Sequence, residues 1–186
     1  MRWNYGPGYM VFPEISNPDA SYYELVRLAK NKGCNVYYMG DGDHLLIDGV
    51  SFLCFNPKNM NYQNKNQGSI VLKLQYKEFD MLFTGDIDAE IEEDILGRIN
   101  EPVEVLKVPH HGSKSSSSMM LLQALQPDIS LISCGLNNSY GHPDEEVVQR
   151  LKTIGSAIFC TKDDGQILIK VRGDKIQVES YLKSAR

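Results

Sequence analysis

The sequence predicts an α/β protein built on a mixed sheet. Short apolar strands alternate with helical segments through the middle of the chain, and the C-terminal stretch reads as antiparallel strands. No repeat and no linker divides the 186 residues, so 1–186 is read as one domain with a core of its own.

The elements follow in order. "DASYYELVRLAKNKG" spaces Tyr22, Leu25, Val26 and Ala29 along one helical face and stops at Gly33. The strands "NVYYM", "HLLID" and "VSFLCFN" come next, with Asp-Gly turns between them. Residues 57–68, "PKNMNYQNKNQG", are polar and Asn/Gln-rich and are expected to form a long exposed loop. "SIVLKLQY" and "FDMLFTGD" pair as a hairpin across "KEF", and a helix over 88–98 opens with an acidic first turn that suits its dipole. "VEVLKVP" leads into a helix over "SSMMLLQALQ", closed by Pro127. "ISLISCG" leads into a helix beginning at "HPDEE", where Pro143 fits the first helical position and makes His142 the N-cap. "SAIFCT", "QILIKV" and "KIQVES" complete the chain as antiparallel strands.

Composition bounds the function. The chain is 42% hydrophobic and 23% charged, ordinary for a globular protein. A net charge of −5 argues against coating nucleic acid through a broad basic face, although a metal ion can supply the positive charge that a phosphate needs. No apolar run approaches the roughly 18 residues of a membrane span, and "MRWNYGPGYMVFPE" does not read as a signal peptide, so a soluble domain is expected. Cys34, Cys54, Cys134 and Cys160 show no CxxC spacing. They are expected to be separate structural thiols, three of them in strand-like contexts.

The chemistry concentrates at strand ends. Asp86 closes "MLFTGD"; taken alone it reads first as an N-cap for the next helix. His110 and His111 follow "VLKVP", and in an extended chain two adjacent imidazoles point to opposite sides, so both cannot serve core packing. His142 alone reads as a cap. Together the carboxylate and the histidines fall at the C-terminal ends of successive strands, where open α/β sheets place their sites. Oxygen and imidazole donors suit zinc, manganese or iron better than calcium. One carboxylate and two or three histidines are too few for two metal ions.

In this order, "MLFTGDIDAEIEEDIL", "EVLKVPHHGSKSSSS", "SYGHPDEEVVQRLKTIG" and "IFCTKDDGQILIKV" resemble the soluble metallo-β-lactamase-like domain of ComEC-type DNA-uptake (competence) proteins. The resemblance runs from about Glu14 to about Val178. It implies an αββα sandwich and a metal-dependent phosphodiester hydrolase, nuclease-like and acting on DNA, with zinc or manganese. Its parent would sit at the bacterial cell membrane, embedded through other domains. Asp86 would bridge metals, His111 would be a ligand with His110 beside it or in its place, and His142 would face the phosphate or leaving group. Ser69, Ser113 and Lys114 would stand near the phosphate. The family's earlier His-x-x-x-Asp-His motif has no counterpart here, and His44 offers no substitute. Where the family carries Asn beside Ser69, this sequence has Gly68. The chain is therefore expected to be an N-terminally truncated form, inactive as it stands, holding little metal or none, and either to self-associate or to fold its N-terminal segment back over the uncovered strands with Trp3, Tyr5, Tyr9 and Phe12 as aromatic cover. The alternative is a non-catalytic structural or partner-binding module of the same fold.

Overall fold

The computed structural model describes residues 7–58, 62–99 and 101–182. Strand β1 (Tyr9–Pro13), helix α1 (Ala20–Asn31) and strand β2 (Asn35–Met39) form a small β-α-β unit with β1 and β2 parallel. Asp19 caps α1 by accepting from the Tyr22 N–H at 2.9 Å. Val26 and Ala29 bury against Phe12 and Cys34, whereas Leu25, predicted on the same face, is 55% exposed because the two-stranded sheet is too narrow to cover it.

The main sheet has seven strands in chain order: β3 (His44–Ile47), β4 (Val50–Asn56), β5 (Val71–Tyr76), β6 (Phe79–Phe83), β7 (Val105–Lys107), β8 (Ile129–Ile132) and β9 (Ala157–Cys160). The first four pair antiparallel and β6 to β9 pair parallel. Parallel strands need crossovers, and the helical segments supply them: α2 (Ala89–Leu96), α3 (Met119–Leu125) and α4 (Glu145–Thr153). The sheet is mixed, as expected. One correction is topological. β9 was expected to open the antiparallel end, but α4 returns the chain in register beside β8, so β9 is parallel. A single turn, α5 (Thr161–Asp164), separates it from a hairpin of β10 (Ile167–Arg172) and β11 (Lys175–Ser180).

One face of the main sheet is the core. Val71, Leu82, Leu106, Ile132 and Cys160 alternate inward and meet Ile91 and Ile95 of α2, Leu121, Leu122 and Leu125 of α3, and Val147 and Leu151 of α4. Each such side chain contributes about 1.5–3 kcal/mol by leaving water. Register places a second apolar row on the opposite face: Phe52 pairs with Leu74, Leu74 with Met81 and Leu72 with Phe83. These are only half-buried, and Leu45 and Ile47 beyond them are exposed. Here the sheet faces Val11 and Met39 of the small unit across a cavity of about 560 Å³.

Aromatic cover for that face was expected from Trp3, Tyr5, Tyr9 and Phe12. Trp3 and Tyr5 lie outside the described residues. Phe12 packs on α1 instead, and Tyr9 is 67% exposed against Tyr37. Residues 57–68 also differ from the exposed loop expected. Their C-terminal part forms a 3-10 turn, Lys65–Gly68, in which Gln67 and Gly68 are buried. The thiols are free, but two of them are not isolated: the sulfurs of Cys134 and Cys160 are 3.4 Å apart.

Candidate metal centre at the strand ends

The parallel strands β6, β7 and β8 deliver their C-terminal ends to one edge, and the chemistry-bearing residues lie just beyond them. Asp86 follows β6 through Thr84 and Gly85. Thr84 is fully buried and donates to the Lys107 carbonyl at 2.6 Å, stitching β6 to β7. Gly85 has φ +57, and a Cβ there would stand 2.6 Å from the Ser69 Cβ, so only glycine fits. Its carbonyl accepts from the His110 N–H at 3.1 Å, and the next N–H, that of Asp86, donates to Ser69 Oγ at 3.1 Å. Ser69 therefore anchors the Asp86 backbone. The helix cap that Asp86 resembled in sequence is Asp88, which accepts from the Ile91 N–H.

The histidine pair is not extended, contrary to the expectation that its rings diverge along a strand. His110 and His111 both hold left-handed backbone angles, φ 47 and φ 57, in a tight turn after β7. His111 Nδ1 lies 2.6 Å from the Ser133 carbonyl. A carbonyl can only accept, so Nδ1 carries the proton and Nε2 presents its lone pair. That Nε2 stands 3.5 Å from Asp86 Oδ1. His110 Nε2 lies 3.4 Å from the Asn66 side-chain amide, and its Nδ1 is buried with no hydrogen-bond partner.

His142 reaches the same place from the loop after β8, its ring 5.9 Å from that of His110. It is not the N-cap of α4. Asp144 is, accepting from the Glu146 N–H, because a carboxylate is the better acceptor for a helix N-terminus. Asn138 brackets His142, with its amide donating to the His142 carbonyl and its Oδ1 accepting from the His142 N–H, both at 2.8 Å. The Tyr140 ring stacks on the imidazole. Partial burial, reinforced by His110 and His111, lowers the His142 pKa and favours the neutral ring.

Ser113 and Lys114 are placed differently. The Ser113 hydroxyl is 3.0 Å from that of Ser115, inside a serine loop held by its own bonds, and Lys114 is exposed. Glu92 on α2 accepts from the N–H groups of Ser117 and Ser118 and fixes the loop from below. Sequence reasoning passed over Lys107. Its ammonium donates to the Val108 carbonyl at 2.8 Å and borders the cavity beside Asp86. Burial lowers its pKa, and Asp86 partly restores it. A lysine inside an apolar strand was the available signal.

Do these donors fit a metal ion? With metal–ligand bonds of about 2.1 Å, two corners of a tetrahedron are about 3.4 Å apart, which matches the Asp86–His111 separation. One edge is thus in place. Among the described residues, however, no group of three or more His, Cys, Asp or Glu side chains gathers to hold an ion. The donors present fit an edge and do not complete a cage.

No family model matches the chain. Among curated proteins, it is 32% identical over 159 residues to ComE operon protein 3 of Bacillus subtilis, covering 85% of this chain and 20% of that protein. It is 33% identical over 131 residues to Recombination protein 2 of Haemophilus influenzae, covering 70% of this chain and 16% of that protein. It is 34% identical over 122 residues to Competence protein ComA of Neisseria gonorrhoeae, covering 64% and 18%. The resemblance to ComEC-type competence proteins holds. The chain spans about a fifth of the length of these ComEC-type relatives. Among solved structures, a protein of Parabacteroides distasonis assigned as a metal-dependent hydrolase superposes with TM-score 0.50 at 12% identity, covering 86% of this chain and 78% of that one. CmlA, a diiron β-hydroxylase from Streptomyces venezuelae, superposes with TM-score 0.50 at 14% identity, covering 72% and 34%. At such identities the likeness is one of fold, and that fold is of the metallo-β-lactamase type.

Proposed function

We propose that this chain supplies the Asp86–His111 side of a metal-dependent phosphodiester-hydrolase centre, in a competence protein that handles DNA. The observation that carries this reading is the 3.5 Å approach of Asp86 Oδ1 to a His111 Nε2 whose lone pair is aimed by the Ser133 carbonyl. The ComEC-type relatives support the setting and the fold supports the chemistry. A neutral His142 beside the pair is suited to donate to, or accept from, a phosphate oxygen or leaving group. Zinc or manganese would supply charge neutralisation and an activated water. The described donors stop at one edge of such a centre.

The competing reading, a non-catalytic module of the same fold, is favoured by that incomplete donor set. One measurement separates them, and a second tests the half-site. Hydrolysis of single- and double-stranded DNA by the full-length parent with manganese or zinc should be abolished by Asp86→Ala; turnover like that of wild type in this variant removes the hydrolase reading. Metal analysis of this chain alone should find about one equivalent or less, loosely held, and two ions at full occupancy would overturn the half-site.

The half-covered sheet face leads to a further part of the proposal: this chain self-associates through Leu72, Leu74, Met81 and Phe83. Apolar patches beyond a few hundred Å² seldom remain exposed on soluble monomers. Light scattering should report a dimer or larger species that Phe83→Asp disperses. A wild-type monomer at tens of micromolar would sink this. No helix among the described residues is long and apolar enough to cross a membrane.

A further inference from the structure

Cys134 lies two residues beyond β8 and Cys160 ends the adjacent parallel strand β9. Their free sulfurs stand 3.4 Å apart. One hydroxyl holds the two segments in this relation: Thr161 Oγ1 accepts from the Cys134 N–H and donates to the Cys134 carbonyl, both at 2.9 Å. A disulfide needs the sulfurs at about 2.05 Å, so side-chain rotation of about 1.4 Å closes the gap between thiols already turned toward each other. The pair is also asymmetric. Cys160 is buried, and burial pushes its thiol up to about 12. Cys134 is half-buried and lines an open cleft of about 360 Å³ with Ser133, His111, Tyr140 and His142.

We propose that Cys134 and Cys160 form a redox-modification site that undergoes thiol–disulfide exchange with a low-molecular-weight disulfide and closes to an intramolecular disulfide. The Cys134 thiolate, reached through the cleft, attacks one sulfur of the incoming disulfide. A mixed disulfide forms on Cys134 and the first thiolate leaves. Cys160 then loses its proton and attacks the Cys134 sulfur, and the second thiolate leaves. The two cysteine protons end on the two released thiols, so two protein thiols are oxidised as one small disulfide is reduced. Because both attacks require a thiolate, the reaction quickens as pH rises.

The position gives the bond a consequence. Cys134 adjoins Ser133, whose carbonyl fixes the His111 tautomer. Tying Cys134 covalently to β9 removes freedom from that carbonyl and changes the setting of the His111 ring. The exchange chemistry itself does not depend on the hydrolase reading.

Incubation of the folded chain with glutathione disulfide tests this. Peptide mapping should recover a Cys134–Cys160 link and a product lighter by two hydrogens, reversed by dithiothreitol, with Cys34 and Cys54 still reduced. Cys160→Ser should stop at a stable glutathione adduct on Cys134, and the His111 ring resonances should shift only when wild type is oxidised. The proposal is overturned if wild type also stops at the mixed adduct, if the link joins other cysteines, or if only the urea-unfolded chain reacts. Should the serine variant fail to fold, the wild-type peptide map decides.

Discussion

Replacing Gly85 by alanine tests the claim that the site's geometry is built by close backbone approach. An alanine Cβ would stand 2.6 Å from Ser69 Cβ and 3.0 Å from Ser69 Oγ, on a residue with φ +57. The left-handed conformation costs a non-glycine residue about 1–2 kcal/mol, and forcing a methyl into a filled space costs about 1–3 kcal/mol more. Ser69 must then shift, and it is the acceptor for the Asp86 N–H. Gly85→Ala should lose roughly 2–5 kcal/mol in urea denaturation, equivalent for a chain of this size to a melting point lower by roughly 4–20 °C. It should also weaken metal retention at Asp86. Gly97→Ala is the control. Gly97 caps α2 at φ −66, and a Cβ there would meet nothing within 4 Å, so alanine should be neutral or stabilising by up to about 1 kcal/mol. If the two variants lose equally, or Gly85→Ala loses less than about 1 kcal/mol, the close-approach argument fails.

Two further outcomes follow from buried and half-buried charge. Glu92 is fully buried and burial raises its pKa, so the folded state binds its proton more tightly than the unfolded chain does. Its contribution is therefore greatest below the unfolded value near 4.5 and is lost as pH rises through the raised folded value. Glu92→Gln leaves one of the Ser117 and Ser118 N–H groups without an acceptor and should cost about 1–3 kcal/mol; the gap to wild type should widen on acidification from pH 7, and a gap that narrows would contradict the assignment. His142 should titrate by NMR below the ordinary 6.5 of a free imidazole, since burial and its histidine neighbours disfavour the charged ring. A midpoint above that value would remove it from the interior of the cluster.

Much of the frame was legible because it rests on short-range rules. The strand "VSFLCFN" and the hairpin around Lys77 follow from alternation and turn chemistry, and α1 from its apolar spacing and C-terminal glycine. The positions of Asp86, His110, His111 and His142 at one edge were legible as a set, since open α/β sheets place their sites at the C-terminal ends of successive strands. What stayed hidden depends on atoms without a sequence signature. The Ser133 carbonyl sets the His111 tautomer, yet any residue has a carbonyl. "HPDEE" reads with His142 as the cap, whereas the fold caps α4 with Asp144, whose own N–H is held by the Gly112 carbonyl. The Cys134–Cys160 contact arises from the β8–β9 pairing, which the antiparallel expectation for β9 concealed.

The edge and the open sheet face are one electrostatic system. The cavity that begins at Leu45 and Ile47 ends at Asp86 and Lys107, so its contents set the local dielectric of both charges. Lys107 is already held down by burial and sustained by Asp86. Apolar cover over Leu72 and Phe83 would exclude more water, strengthening the attraction between the carboxylate and any cation while disfavouring a charged Lys107. The loops of the site, by contrast, are pinned by hydrogen bonds from backbone N–H groups: Asp86 to the Ser69 hydroxyl, and His110, Val108 and Asp144 to the carbonyls of Gly85, Leu131 and Gly112. Their geometry is fixed while their field is left adjustable. It follows that an occupant of the sheet face would act on Asp86 through this field as well as by any direct contact where the cavity reaches it.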